Sequence, residues 1–163
     1  KVEQMALAYV NRFDVSAGKL RQHLMNRVRK AGGHDDAATW IAELVQRYQG
    51  SGVLDDARFA RNLASQLSAR GKSARAIAQK LAVRGVASDV AGELMAARKQ
   101  DEPNAELEAA RTYARKRRLG HHRKPEERDE YRHKDLATLA RQGFSFDIAK
   151  KALGPGASND DEL

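Results

Sequence analysis

The 163-residue chain contains no cysteine. That excludes disulfides, thiolate metal sites and thiol nucleophiles, and it fits a reducing compartment. Bulk is scarce as well: hydrophobic residues make up 41% of the sequence but aromatics only 6%, with alanine supplying much of the rest. A single large core draws on more big side chains, so several small cores are expected. Tyr9, Phe13, Trp40 and Tyr48 would anchor the first, Phe59 the next, and Tyr113, Tyr131, Phe144 and Phe146 the last. No stretch approaches the ~18 apolar residues of a membrane span, and no leader peptide is visible. No segment sustains the period-2 alternation of a half-buried strand. No Gly-rich phosphate loop occurs either, so the sequence asks for no nucleotide or other cofactor. A cytoplasmic monomer is expected. The chain opens on Lys1 rather than Met, and a natural start further upstream is expected.

What the sequence does have is positive charge. A formal net charge of +8 and a pI near 9.9 favour a polyanionic partner or an acidic protein surface. Many soluble helical proteins are basic without binding nucleic acid, so charge alone does not decide.

The stretch from Gly52 to Val86 shows how the chain is organised. Asp55 is placed to cap a helix N-terminus, and Leu54 with Phe59 can form a hydrophobic staple across it. Phe59, Ala60, Leu63, Ala64 and Leu67 share one apolar arc of that helix. Gly71 supplies a left-handed end. Ser73 caps a second helix with Ala74, Ile77, Ala78 and Leu81 inward, and Gly85 ends it. A third helix follows a Ser88 cap, with Val90, Leu94 and Met95 inward. The first fifty residues follow the same plan. A helix from Val2 to Phe13 buries Met5, Leu7, Ala8, Val10 and Phe13. Ser16 caps a second with Leu20, Leu24 and Val28 inward. Asp35 or Asp36 caps a third with Trp40, Ile41, Leu44, Val45 and Tyr48 inward. The last third opens at Pro103, suited to a helix N1 position with Glu102 and Glu106 at the positive helix end. Leu107, Ala110, Tyr113 and Ala114 face inward there. Another helix starts at Glu126-Glu127 and carries Leu136, Leu139 and Ala140, and a short one holds Ile148, Ala149, Ala152 and Leu153.

Leu24 aligns with Leu81 at an offset of 57 residues, and Leu81 with Leu139 at 58. A period in this range means an array. The expected fold is all-α, an elongated array of three tandem three-helix repeats spanning 1–51, 52–100 and 101–154. A disordered acidic tail is expected over 155–163.

Two basic surfaces are the candidate sites. Between Ala57 and Ser88 there are seven Arg or Lys residues and no acid. The outward face of the second helix of repeat two carries Arg75, Gln79, Lys80 and Val83, with Arg70 and Lys72 before it and Arg84 after it. Between Ala109 and Pro125 there are again seven basic residues and no acid. Arg111, Arg115 and Arg118 fall at i, i+4, i+7, and Lys116, Arg117, Arg123 and Lys124 extend that surface. Both meet an acidic protein surface or a phosphate backbone on one reading, and are ordinary solvated faces on the other. Positive charge at a helix C-terminus is favourable by itself, typically by ~0.3–1 kcal/mol, which accounts for Arg117 and Arg118 but not for seven charges. The adjacent His121 and His122, flanked by Arg123 and Lys124, make a poor cation site. Asp35-Asp36 and Asp55-Asp56 stand at helix starts, where capping explains them, and Asp160-Asp161 lie in the tail. Nothing here points to an enzyme.

The run Gly52-Val53-Leu54-Asp55-Asp56-Ala57-Arg58-Phe59-Ala60, with Arg70-Gly71-Lys72-Ser73 after it, resembles the central motif of the RecX family, bacterial modulators of the RecA recombinase. Leu20 and Leu24 resemble the first-repeat leucine pair. Leu136, Leu139, Arg141, Gly143, Phe144 and Ser145 resemble the third-repeat ending. The likeness runs from about Met5 to Leu153. It implies a curved array of helical repeats that binds in the groove of the RecA filament on single-stranded DNA and restrains filament growth, ATP hydrolysis and strand exchange. Its own contact with single-stranded DNA would be weak or made through the filament. The first repeat departs from the family pattern, since its second helix continues through Val28-Arg29-Lys30 where a short Gly-aromatic turn is common. A longer second helix is expected there. The alternative from the residues alone is a free-standing nucleic-acid binder that uses its helix pairs as helix-turn-helix readers. Against that, Ala74-Arg75-Ala76 offers a single base-reading side chain.

Overall fold

The computed structural model describes residues 1–155, so the tail expected beyond Pro155 lies outside the described residues. Within them the chain is helical throughout and has no strand. Three helices form the first repeat, α1 (Val2–Arg12), α2 (Ala17–Lys30) and α3 (Ala37–Gly50). Three more, α4 (Asp56–Ala69), α5 (Ala74–Val83) and α6 (Ser88–Asp101), form the second. The third has α7 (Ala105–Arg117), α8 (Arg128–Arg141) and α9 (Phe146–Leu153), with 3₁₀ turns at Gly120–His122 and Pro125–Glu127. Helix α2 has 14 residues against 10 in α5, the longer first-repeat helix that the sequence predicts. Contacts gather into two compact units. Unit 1 joins Lys1–Leu63 to Lys80–Leu94, and unit 2 joins Ala64–Gln79 to the chain from Met95 on.

In unit 1, Leu20 and Leu24 of α2 pack with Ile41, Leu44, Val45 and Tyr48 of α3, Ala6 of α1 and Leu54. The caps are local. Ser16 Oγ accepts from the Lys19 N–H at 3.1 Å, and Asp55 Oδ1 from the Arg58 N–H at 2.9 Å. Phe59 is buried, as its phase in α4 predicts, with the Arg84 guanidinium 5.7 Å from its ring centre. Several inward assignments in this unit are corrected. Trp40 and Phe13 are 45% and 47% exposed, and Leu7 is 48% exposed. The buried set Ile41, Leu44, Val45 and Tyr48 follows i, i+3, i+4, i+7, and Trp40 falls outside that arc, about 100° from Ile41 and about 40° beyond Leu44. The Trp40 ring lies against His34 instead, at 4.3 Å. Tyr9 is half-buried and stacks on His23 at 3.9 Å. Asp36 precedes α3 without a side-chain cap bond.

Unit 2 is built on small residues. Ala109, Ala110 and Ala114 of α7 meet Ala149, Ala152 and Leu153 of α9, with Leu119, Leu139 and Phe144 completing the core. Alanines let helix axes approach closely, which is why so few large side chains suffice. Pro103 is not the first residue of α7. It takes the second position of a turn in which the Ala105 N–H donates to the Glu102 carbonyl at 3.0 Å, a place its fixed φ suits. Ser88 is the first residue of α6 rather than its cap, and α6 buries no residue fully; Val90, Leu94 and Met95 are half-buried. Ala140 and Phe146 are exposed, so neither anchors the core.

Candidate partner-binding surface

Helix α5 is held at its start by Ser73. Its hydroxyl accepts from the Ala76 N–H at 3.2 Å and donates to the Gln142 carbonyl at the end of α8, at 2.6 Å. The Ala74 N–H donates to Glu106 Oε2 at 2.8 Å. The same joint occurs one repeat earlier. Ser16 caps α2 and donates to the Arg84 carbonyl, while the Ala17 N–H donates to Asp56 Oδ1 at 2.8 Å. In both joints the serine meets the carbonyl just before a glycine with positive φ, Gly85 at 78° and Gly143 at 96°. A Cβ on Gly143 would stand 2.7 Å from Ser73 Oγ, and one on Gly85 2.9 Å from Ser16 Oγ. Burial raises the pKa of both carboxylates, Asp56 and Glu106, against the backbone bond that lowers it.

With its start fixed and Ile77 and Leu81 buried, α5 turns Arg75, Gln79, Lys80 and Val83 to solvent, as the periodicity predicts. Arg70 and Lys72 are exposed beside Gly71. Arg84 is half-buried over Phe59. The Arg70 carbonyl accepts from Lys116 Nζ at 3.2 Å.

The α7 surface is less uniform than its sequence. Arg111 pairs with Glu108 at 2.7 Å, both side chains at least half exposed. Arg117 lies 5.9 Å from the Tyr113 ring centre. Arg118 does not continue the Arg111–Arg115 line. It closes α7 in the left-handed region, φ 55°, where glycine is usual. Arg123 is also removed from the free surface. Its Nε and Nη2 donate to both oxygens of Asp135, at 2.8 and 2.7 Å, and Asp135 is 1% exposed. Asp135 Oδ2 accepts from the Gly120 N–H as well, at 2.8 Å, and the guanidinium rests 4.4 Å from the Tyr131 ring centre. The bond to Asp135 raises the pKa of Arg123 further. Asp135 stands outside both basic runs and carries no local motif. It lies one turn before the buried Leu139 on α8, and that phase is the signal that could have found it. Arg115, Lys116, Arg117, Arg118 and Lys124 remain exposed.

His121 Nδ1 lies 3.3 Å from the Leu153 carbonyl, and burial, with the charges of His121 and Arg115, lowers the pKa of His122. Among the described residues no group of three or more His, Asp or Glu side chains is placed to hold a metal ion. No described helix is long and apolar enough to cross a membrane.

Fold and surface together define a basic helical-repeat protein. Residues 55–95, from the cap of α4 through α5 and into α6, match RecX, second three-helix domain. The chain is 39% identical over 158 residues to the regulatory protein RecX of Myxococcus xanthus, a match covering 93% of this chain and 83% of that one. It therefore belongs to the RecX family. Regulatory protein RecX of Agrobacterium fabrum is 36% identical over 104 residues, and that of Mycobacterium avium 34% over 95. These two matches cover 64% and 58% of this chain, and each spans about half of the relative, 53%. No solved structure matches.

Proposed function

We propose that this chain is a non-enzymatic regulator that binds the RecA filament on single-stranded DNA and restrains its growth, ATP hydrolysis and strand exchange. Family membership supports a regulatory role. The observation that carries the binding mode is the set of exposed cations, Arg75 and Lys80 on α5 and Arg115 with Lys116 on α7, on helices whose opposite faces are buried. Exposed guanidinium and ammonium groups meet acidic side chains or phosphates at little desolvation cost, and each contact is weak in salt. Two such surfaces on one chain bind far better together than either alone, because the second contact forms at high effective concentration.

The test is RecA ATPase on single-stranded DNA, titrated with the parent chain, with Arg75→Glu/Lys80→Glu, and with Arg115→Glu/Arg118→Glu. The parent is expected to suppress turnover, and each double variant to lose most of that effect while staying folded, the α7 variant melting slightly lower because it reverses favourable charge at a helix C-terminus. Affinity for naked single-stranded DNA should be weak and should fall with salt. Suppression by both variants equal to the parent's would exclude these surfaces. Tight binding to naked DNA without any effect on RecA would favour a free-standing nucleic-acid binder.

A further inference from the structure

Unit 2 holds an open groove of about 590 Å³, within the range of ~300–1,000 Å³ typical of ligand sites. Ile77 is buried at its base, and half-buried Met95, Ala105 and Ile148 with exposed Pro103 extend the apolar lining. The charges around this lining do not cancel. Arg98 is neutralised within the unit, Nη2 standing 3.1 Å from Glu102 Oε2 and Nη1 3.3 Å from Ser65 Oγ. Glu106 is half-buried and engaged by the Ala74 N–H. Arg75 from α5 and Lys99 from α6 are left exposed, with no ion-pair partner among the described residues. With Glu106 counted, the groove combines an apolar base with a net positive lining whose exposed cations are Arg75 and Lys99, and Ala74 at the start of α5 and Ser145, the cap of α9, border it as well.

We propose that this groove docks an acidic segment of a partner protein, with a bulky apolar side chain of that segment seated over Ile77, Met95 and Ile148. The apolar base supplies affinity through area removed from water. Arg75 and Lys99 select acidic flanks and repel basic ones, so charge fixes which apolar segments enter. A phosphate backbone fits less well, since it offers charge but nothing to cover the apolar base. The groove shares Arg75 with the α5 surface but none of the α7 cations, and the proposal stands whether or not RecA is the partner.

The test uses the full chain with ¹³C-labelled isoleucine and methionine methyl groups. The probe is the synthetic peptide Gly-Asp-Glu-Asp-Phe-Phe-Asp-Glu-Asp-Gly. Saturable shifts are expected at the methyls of Ile77, Met95 and Ile148, with Met5 and Met25 of unit 1 unmoved. Replacing both Phe by Ser should weaken binding by at least ~10-fold, the equivalent of one lost apolar side chain. Lys99→Glu combined with Arg75→Glu should weaken it at least as much, and a Lys-for-acid peptide should not bind. Absent or non-saturable shifts at these methyls, or equal binding by the Lys peptide, would overturn the proposal. So would the same shifts disappearing or appearing without peptide in Asp160→Asn/Asp161→Asn/Glu162→Gln, which would make the chain's own acidic tail the occupant. A parent that suppresses RecA but shows no methyl shifts overturns the groove alone. Methyl shifts in a chain without effect on RecA overturn the filament reading alone.

Discussion

Asp135 grips Arg123 with both carboxylate oxygens, so a side chain that reads as part of a basic surface is a structural element of unit 2. The acid is almost fully buried and the base is not. Removing the guanidinium leaves a buried carboxylate that, among the described residues, keeps the Gly120 N–H as its hydrogen-bond donor. Arg123→Ala is therefore expected to cost about 3 kcal/mol in urea melts, whereas Lys124→Ala should change stability by less than ~0.5 kcal/mol. Equal, small effects at the two positions would show that the pair holds nothing in place.

The repeated serine joint makes a second expectation. Ser73→Ala removes a cap and the bond to the Gln142 carbonyl, and should cost ~1–2 kcal/mol. Gly143→Ala should cost more, because it combines a strained positive φ with a Cβ 2.7 Å from Ser73 Oγ. The double variant tests the mechanism. If the contact is the reason, Ser73→Ala should relieve part of the Gly143→Ala penalty, and strict additivity would rule that out.

Asp56 and Glu106 give the joints a pH signature. Burial holds their folded pKa values above the ordinary 3.8 and 4.5, so the folded state binds protons more readily than the unfolded chain there. Their contribution to stability is fully present below the unfolded values and is lost as pH rises through the folded ones. Asp56→Asn/Glu106→Gln is expected to gain stability relative to the parent at neutral pH, with the difference shrinking as pH falls toward 4. His122 works the other way. Its pKa lies below 6.5, so its contribution is present above 6.5 and is lost as pH falls through the lowered value. His122→Gln should flatten that part of the curve. Melts of the three chains across pH 4–8 would decide both.

Phe59 should be the costliest single truncation in the second repeat. The ring is 4% exposed, and no other aromatic lies between Tyr48 and Tyr113. Phe59→Ala is expected to lose about 3–5 kcal/mol. A loss below about 1 kcal/mol would mean that the site collapses around the missing ring.

Arg118 offers a gain instead. A left-handed conformation costs an L-residue with a Cβ roughly 1–2 kcal/mol, and glycine avoids most of it. Arg118→Gly should raise stability by up to ~1 kcal/mol after glycine's larger unfolded-state entropy is counted. It would also remove a cation, so if Arg118 contacts a partner, a more stable protein should bind less well. Stability and RecA suppression measured on the same variant separate the two roles.

The helices, their caps at Ser16, Asp55 and Ser73, and the buried leucines were legible in the sequence because each follows from short-range geometry. A 3.6-residue period and a capping side chain three residues from its N–H need no knowledge of the rest of the chain. The 57- and 58-residue offsets gave the repeats for the same reason, as did the outward phase of Arg75 and Lys80. What lay beyond reach depends on partners far along the chain. Ser73 and Gln142 are 69 residues apart, and Ser16 and Arg84 are 68. No local pattern announces that a cap also binds a distant carbonyl, or that two glycines are required because a serine passes them. The edges of apolar stripes were also decided late. Trp40 carries its ring one helical step from the buried Ile41, and only the packing of neighbouring helices determines on which side of the boundary such a ring falls, while Phe13 lies just past the end of α1 on extended backbone. Charge was the least legible quantity. A run of basic residues shows neither which guanidinium meets a buried acid twelve residues later nor which backbone turns left-handed, and on those two tertiary facts rest the different roles of Arg115, Arg118 and Arg123.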